Sequence, residues 1–101
     1  MKLLIITAIA EFEKEVKQLL KQAEVITYSY KQVTGYRDST LDAVESNWFG
    51  VEMNESDAIL FYAFVSKENV DTVFELTEQK NAEHTSKSRI HVASINIEKS
   101  N

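Results

Sequence analysis

Two runs of eight residues, Lys2 to Ile9 (KLLIITAI) and Ala58 to Val65 (AILFYAFV), carry one charge between them, on Lys2. A strand with one wet face alternates apolar and polar residues, whereas a near-continuous apolar run marks a strand covered on both faces. Any fold for this chain must therefore cover both sides of its central strands. The first run is too short to span a bilayer, which takes about 20 apolar residues. Acidic residues (Glu11, Glu13, Glu15) follow it at once, where a secretory signal would place a small-residue cleavage site. The run reads as a first strand and the expected location is cytoplasmic, outside the membrane.

The segments between are as regular. Phe12, Val16, Leu19, Leu20 and Ala23 form one apolar stripe of an amphipathic helix, with Glu11, Glu13, Lys14, Glu15, Lys17, Gln18 and Lys21 on the wet side. Val25 to Tyr36 (VITYSYKQVTGY) is rich in β-branched and aromatic residues and reads as a second strand, with Ile26, Tyr28 and Tyr30 on one face and Gly35 ending it. After the third strand, Ser66 is placed to cap a helix from Lys67, with Val70, Val73, Phe74 and Thr77 facing inward. Ile90 to Ile97 (IHVASINI) is the last strand.

The order is β-α-β-loop-β-α-β in one domain, residues 1–101, with a loop at 37–57 between strands two and three. It predicts an α+β, ferredoxin-like βαββαβ fold: a four-stranded antiparallel sheet with two helices on one face. Helices on one face leave the other face of two apolar strands bare, and the simplest cover is further copies of the same chain.

Charge is unevenly placed. The net charge is −5, yet residues 38–57 hold six acids (Asp38, Asp42, Glu45, Glu52, Glu55, Asp57) and no base. The rest of the chain is close to neutral and shows no basic stripe, so nucleic acid is not an expected partner. The absence of cysteine excludes disulfides and thiolate metal sites. Trp48 and Phe49, inside the acidic stretch, are of the residue types that anchor protein contacts, and so are the expected partner-binding residues.

The opening MKLLIITAIAEFEKEVKQLLKQA, followed by VITYSYKQVTGY, resembles the first half of the PII signal-transduction (nitrogen regulatory) proteins. In that family a strand, an amphipathic helix and a strand ending V-x-G-[FY] lead into a long T-loop. AILFYAFVSKENVDTVFELTEQ resembles the second strand-helix unit, with Val70 and Asp71 at the start of the helix. KSRIHVASI sits where the family has a basic residue before its last strand. The similarity covers residues 1 to 97. It implies a homotrimer whose bare sheet faces line the centre, with ligand sites in the three clefts between subunits. It further implies a regulatory rather than enzymatic role, with the loop meeting a partner protein such as a membrane transporter.

Carried over residue by residue, the resemblance implies that Gly35, Tyr36 and Arg37 form the loop base and that Arg89 opens the last strand. Lys87 and Arg89 with Arg37 would suit a carboxylate or phosphate. The family's Gly-rich turn is absent: residues 81–89 (NAEHTSKSR) contain no glycine. Backbone amides approach phosphates closely where glycine removes the Cβ, so an ATP cradle is not expected. The loop matches no T-loop motif.

Two other functions compete. His84 beside Glu83 offers imidazole and carboxylate to a divalent metal, which would make the chain a metal-binding module of the same fold linked to metal handling or efflux. His84 and His91 are seven apart, which is not a metal-site spacing, and a solvated His84 with a hydrogen-bonded His91 explains them equally. The remaining alternative is a cofactor-free dimeric ferredoxin-like monooxygenase with Trp48 lining an apolar cavity. No Ser-His-Asp, Cys nucleophile or Gly-x-Gly motif supports an enzyme.

Overall fold

The computed structural model describes residues 1–36, 55–84 and 88–101. Strand β1 (Lys2–Ile9) leads through a 3-10 turn (Ala10–Phe12) into helix α1 (Glu13–Gln22). Strands β2 (Ser29–Tyr36) and β3 (Glu55–Val65) follow, then helix α2 (Lys67–Glu83) and strand β4 (His91–Asn96). The sheet order is β2-β3-β1-β4 and all neighbours are antiparallel. This is the expected ferredoxin-like arrangement, with β3 and β1, the two apolar runs, at its centre.

One face of the sheet carries the core. Leu4, Ile6 and Ala8 of β1 and Ile59, Phe61, Ala63 and Val65 of β3 are buried against Val16, Leu19 and Leu20 of α1 and Val70 and Val73 of α2. Burying a side chain of this size contributes roughly 1.5–3 kcal/mol, so this face supplies most of the fold's stability. Ser66 caps α2 as expected, its Oγ accepting from the Asn69 N–H at 3.4 Å.

Four local expectations are corrected. Strand β3 begins at Glu55, so residues 55–57, expected in the loop, pair with the end of β2. Phe74 is 39% exposed, and Leu76 packs against the core instead, because the buried stripe of α2 runs through Val70, Val73 and Thr77 and leaves position 74 to one side. The second strand begins at Ser29, not Val25. Glu24 adopts a left-handed conformation (φ 62), and α1 closes on it: Glu24 N–H donates to the Lys21 carbonyl at 3.0 Å and Val25 N–H to the Leu20 carbonyl at 2.9 Å. That is a Schellman ending, after which Val25 turns inward and Ile26 is left 91% exposed. Gly35 does not end β2. It lies inside the strand opposite Ser56, its φ outside the left-handed region.

Among the described residues no helix packs on the other sheet face, which is largely apolar. Its cross-strand rows read Phe64-Leu3-Ile95, then Tyr62-Ile5-Ala93, then Lys31-Leu60-Thr7-His91, then Val33-Ala58-Ile9. Tyr62, Phe64 and Ile95 are 45%, 58% and 48% exposed. The sequence asks for a cover on both sides of β1 and β3, and the described residues supply one.

Candidate functional site

The antiparallel register puts Tyr36, Glu55, Ile9 and His91 at one end of the sheet. The candidate ligand residues within the described chain all lie at that end. Gly35 and Tyr36 are at the close of β2, with Tyr36 66% exposed, and Arg89 stands two residues before β4, also exposed. They are not brought together within one chain. β2 and β4 are opposite edges of the sheet, separated by β3 and β1. At a strand spacing of about 4.8 Å, the two edges are roughly 14 Å apart. Gly35 and Tyr36 on the one hand and Arg89 on the other thus lie at the same end of the sheet on opposite edges. Arg37, Trp48, Phe49 and Lys87 lie outside the described residues.

The turn between α2 and β4, which bears Arg89, is pinned at both ends. Asn81 on α2 reaches across it: its Oδ1 accepts from the Ile90 N–H at 2.9 Å and its Nδ2 donates to the Ile90 carbonyl at 3.0 Å. Ile90 is buried, so the last residue before β4 has one fixed position. At the turn's other end His84 stacks on Phe12, ring centroids 4.3 Å apart, with its Nε2 2.7 Å from Glu15 Oε2. The Nδ1 atom of His84 is buried without a hydrogen-bond partner. The imidazole considered for metal binding is therefore engaged by Glu15 across the helices, while Glu83 points to solvent. Among the described residues no group of three or more His, Cys, Asp or Glu side chains could hold a metal ion.

A second polar cluster seats β2 against α1. Lys17 donates to Glu13 at 2.8 Å and to the Tyr30 hydroxyl at 3.1 Å, and its ammonium lies 4.3 Å from the centre of the Tyr30 ring. The Glu13 and Tyr30 hydrogen bonds hold the ammonium above the usual lysine range. Tyr30 in turn stacks on Phe61 at 5.3 Å. A cleft of about 450 Å³ opens at the far end of the sheet, lined by Met1, Val25, Ile26, Phe64, Val65 and Asn69, away from the described candidate residues Gly35, Tyr36, Glu83, His84 and Arg89.

Sequence reasoning missed Asn81, Glu15 and Phe12. Only their long-range partners give them a role; Glu15 and His84 are 69 positions apart.

The arrangement of elements can now be set beside known structures. CPII, a nitrogen regulatory PII-like protein from Thiomonas intermedia K12 bound to ADP, AMP and bicarbonate, superposes with a TM-score of 0.59 at 18% identity, over 95% of this chain and 92% of that one. GlnK of B. subtilis in complex with ATP superposes with a TM-score of 0.62 at 23% identity, over 94% of this chain and 82% of that one. The fold is that of the PII-like nitrogen regulatory proteins. No protein-family model and no curated protein sequence matches the chain, so the likeness to the PII-like proteins resides in backbone and topology. Among the described residues no helix is long and apolar enough to cross a membrane.

Proposed function

We propose that this chain is a non-enzymatic PII-like regulatory protein that works as an assembly of three copies and binds a small anion in the clefts between them. The observation that carries the reading is the pairing of a bare apolar face with half-sites on opposite sheet edges. Copies packed through that face bury Leu3, Ile5, Leu60 and Tyr62, and bring the β2 edge of one copy to the β4 edge of the next. Gly35, Tyr36 and Arg37 of one chain then meet Lys87 and Arg89 of its neighbour.

The ligand class follows from the charges available. Arg37, Lys87 and Arg89 suit a carboxylate, a bicarbonate or a single phosphate. The similar structures hold adenine nucleotides and bicarbonate. Lacking glycine in residues 81–89, this chain has little means of cradling a triphosphate, which favours bicarbonate or AMP over ATP. The acidic stretch 38–57, with Trp48 and Phe49, is the segment that would meet a partner protein with a basic surface, such as the cytoplasmic face of a transporter.

Calorimetry with AMP, ADP, ATP and bicarbonate tests the ligand. Binding of AMP or bicarbonate that is lost in Arg89→Ala, with the assembly intact, supports the reading. ATP bound tightly and independently of Arg89 would refute the small-anion site.

A further inference from the structure

Among the described residues, the strands present on the bare sheet face only two side chains that are basic, Lys31 on β2 and His91 on β4, beside the phenol of Tyr62, which stays neutral near neutral pH. The register places them in one row: Lys31 opposite Leu60, Leu60 opposite Thr7, Thr7 opposite His91. The rows on either side are Tyr62-Ile5-Ala93 and Val33-Ala58-Ile9, with Ser29 extending the first at the β2 edge. No carboxylate projects from this face on any of the four strands. The acids of β3, Glu55 and Asp57, alternate onto the opposite side with Ile59. Glu98 and Lys99 follow the end of β4, beyond the far end of the face from His91. At three strand spacings, Lys31 and His91 are too far apart to touch within one chain.

We propose that the bare face closes against copies of this chain only while His91 is uncharged, so that acidification in the range where an imidazole takes up its proton separates the copies. The inference rests on the assembly proposed above and adds its regulation. A neutral imidazole, paired in register with Thr7, carries no net charge into an apolar interface. A protonated one carries a charge that is costly to bury unpaired: none of the four strands presents an acid on this face, and Lys31 supplies a second positive charge at the same height. Each copy contributes the same row, so protonation sets like charges together at the contact. Both residues lie on edge strands, but Lys31 has a long flexible stem that can carry its ammonium to water, whereas the imidazole of His91 is held close to the sheet. His84, the chain's other imidazole, is on the helix side and bonded to Glu15.

The test is sedimentation velocity on the full chain at pH 8.0 and 5.5, at matched ionic strength, with far-UV circular dichroism to confirm folding at both. The wild type should be assembled at pH 8.0, with the dissociation constant of the assembly rising at least tenfold at pH 5.5. His91→Gln should remain assembled at both, and His84→Gln should dissociate on acidification as the wild type does. A wild type equally assembled at both pH values, or a His91→Gln variant that dissociates like the wild type, overturns this inference and leaves the assembly standing. Single chains at pH 8.0 overturn the assembly and this inference with it.

Discussion

Asn81 holds Ile90 by both ends of its side-chain amide, accepting from the Ile90 N–H at 2.9 Å and donating to the Ile90 carbonyl at 3.0 Å. One helix side chain thus does for the start of β4 what a neighbouring strand would do. Asn81→Leu keeps the approximate volume and removes both bonds, leaving a half-buried backbone N–H and C=O unpaired. Such groups cost about 1–3 kcal/mol. The variant should lose stability by about 2 kcal/mol in urea unfolding and show faster amide exchange at Ile90 and Arg89. An unchanged urea midpoint would show that water replaces the amide freely.

Glu24 is the one non-glycine residue at positive φ among the described residues, and it closes α1. The left-handed conformation costs a residue with a Cβ roughly 1–2 kcal/mol relative to its preferred one. Glu24→Gly should therefore raise stability by about 0.5–1 kcal/mol, after its larger unfolded-state entropy is set against the relieved strain. Thermal unfolding should move up by several degrees. A lower melting temperature would mean that the Glu24 side chain makes a contribution absent from its backbone geometry.

Gly35 separates fold from ligand. A Cβ added there would meet Ser56 Oγ at 3.4 Å and Ala58 Cβ at 3.6 Å, both ordinary contacts, in a backbone that any residue adopts. Gly35→Ala should fold with stability within about 0.5 kcal/mol of the wild type. If Gly35 lines the proposed anion site closely enough that a methyl group intrudes on the ligand, the same variant should weaken AMP or bicarbonate binding at least tenfold. Unaltered binding would move the ligand away from β2.

Lys17 gives a pH dependence of defined sign. Its ammonium is held above the usual lysine range by its hydrogen bonds to Glu13 and Tyr30. A raised folded value means that its stabilisation is fully present below the unfolded lysine value of about 10.4 and is lost as pH rises beyond it. The difference in urea midpoint between wild type and Lys17→Met should be constant from pH 6 to 9 and shrink above pH 10.5. A difference that varied between pH 6 and 9 would show that another group controls the cluster.

How much of this could be read beforehand follows from the range of each interaction. β1, α1, the apolar part of β3 and the Ser66 cap rest on local periodicity and a three-residue hydrogen bond, and were legible; the polar start of β3 at Glu55–Asp57 was not, because it pairs with β2 without an apolar pattern of its own. The sheet order followed from two crossovers on one face. Phe74 was misread because the sequence does not say where around α2 the core lies; Val70, Val73 and Thr77 fix the stripe and leave Phe74 at its margin. The strand at Val25 failed because nothing in the residue type announces that Glu24 takes a glycine's conformation. His84 was read with its sequence neighbour Glu83, whereas its partner Glu15 arrives from the far end of the chain. That Gly35 and Tyr36 lie on the edge opposite Arg89 needed the topology.

The claim on which the rest stands is that sister chains cover the face formed by Leu3, Ile5, Leu60, Tyr62 and Phe64. Native mass spectrometry at neutral pH, on the wild type and on Ile5→Glu, tests it most directly. The account predicts three times the chain mass for the wild type and a folded single chain for Ile5→Glu, whose helix-side core is untouched. A wild type that flies as one folded chain at tens of micromolar would contradict it.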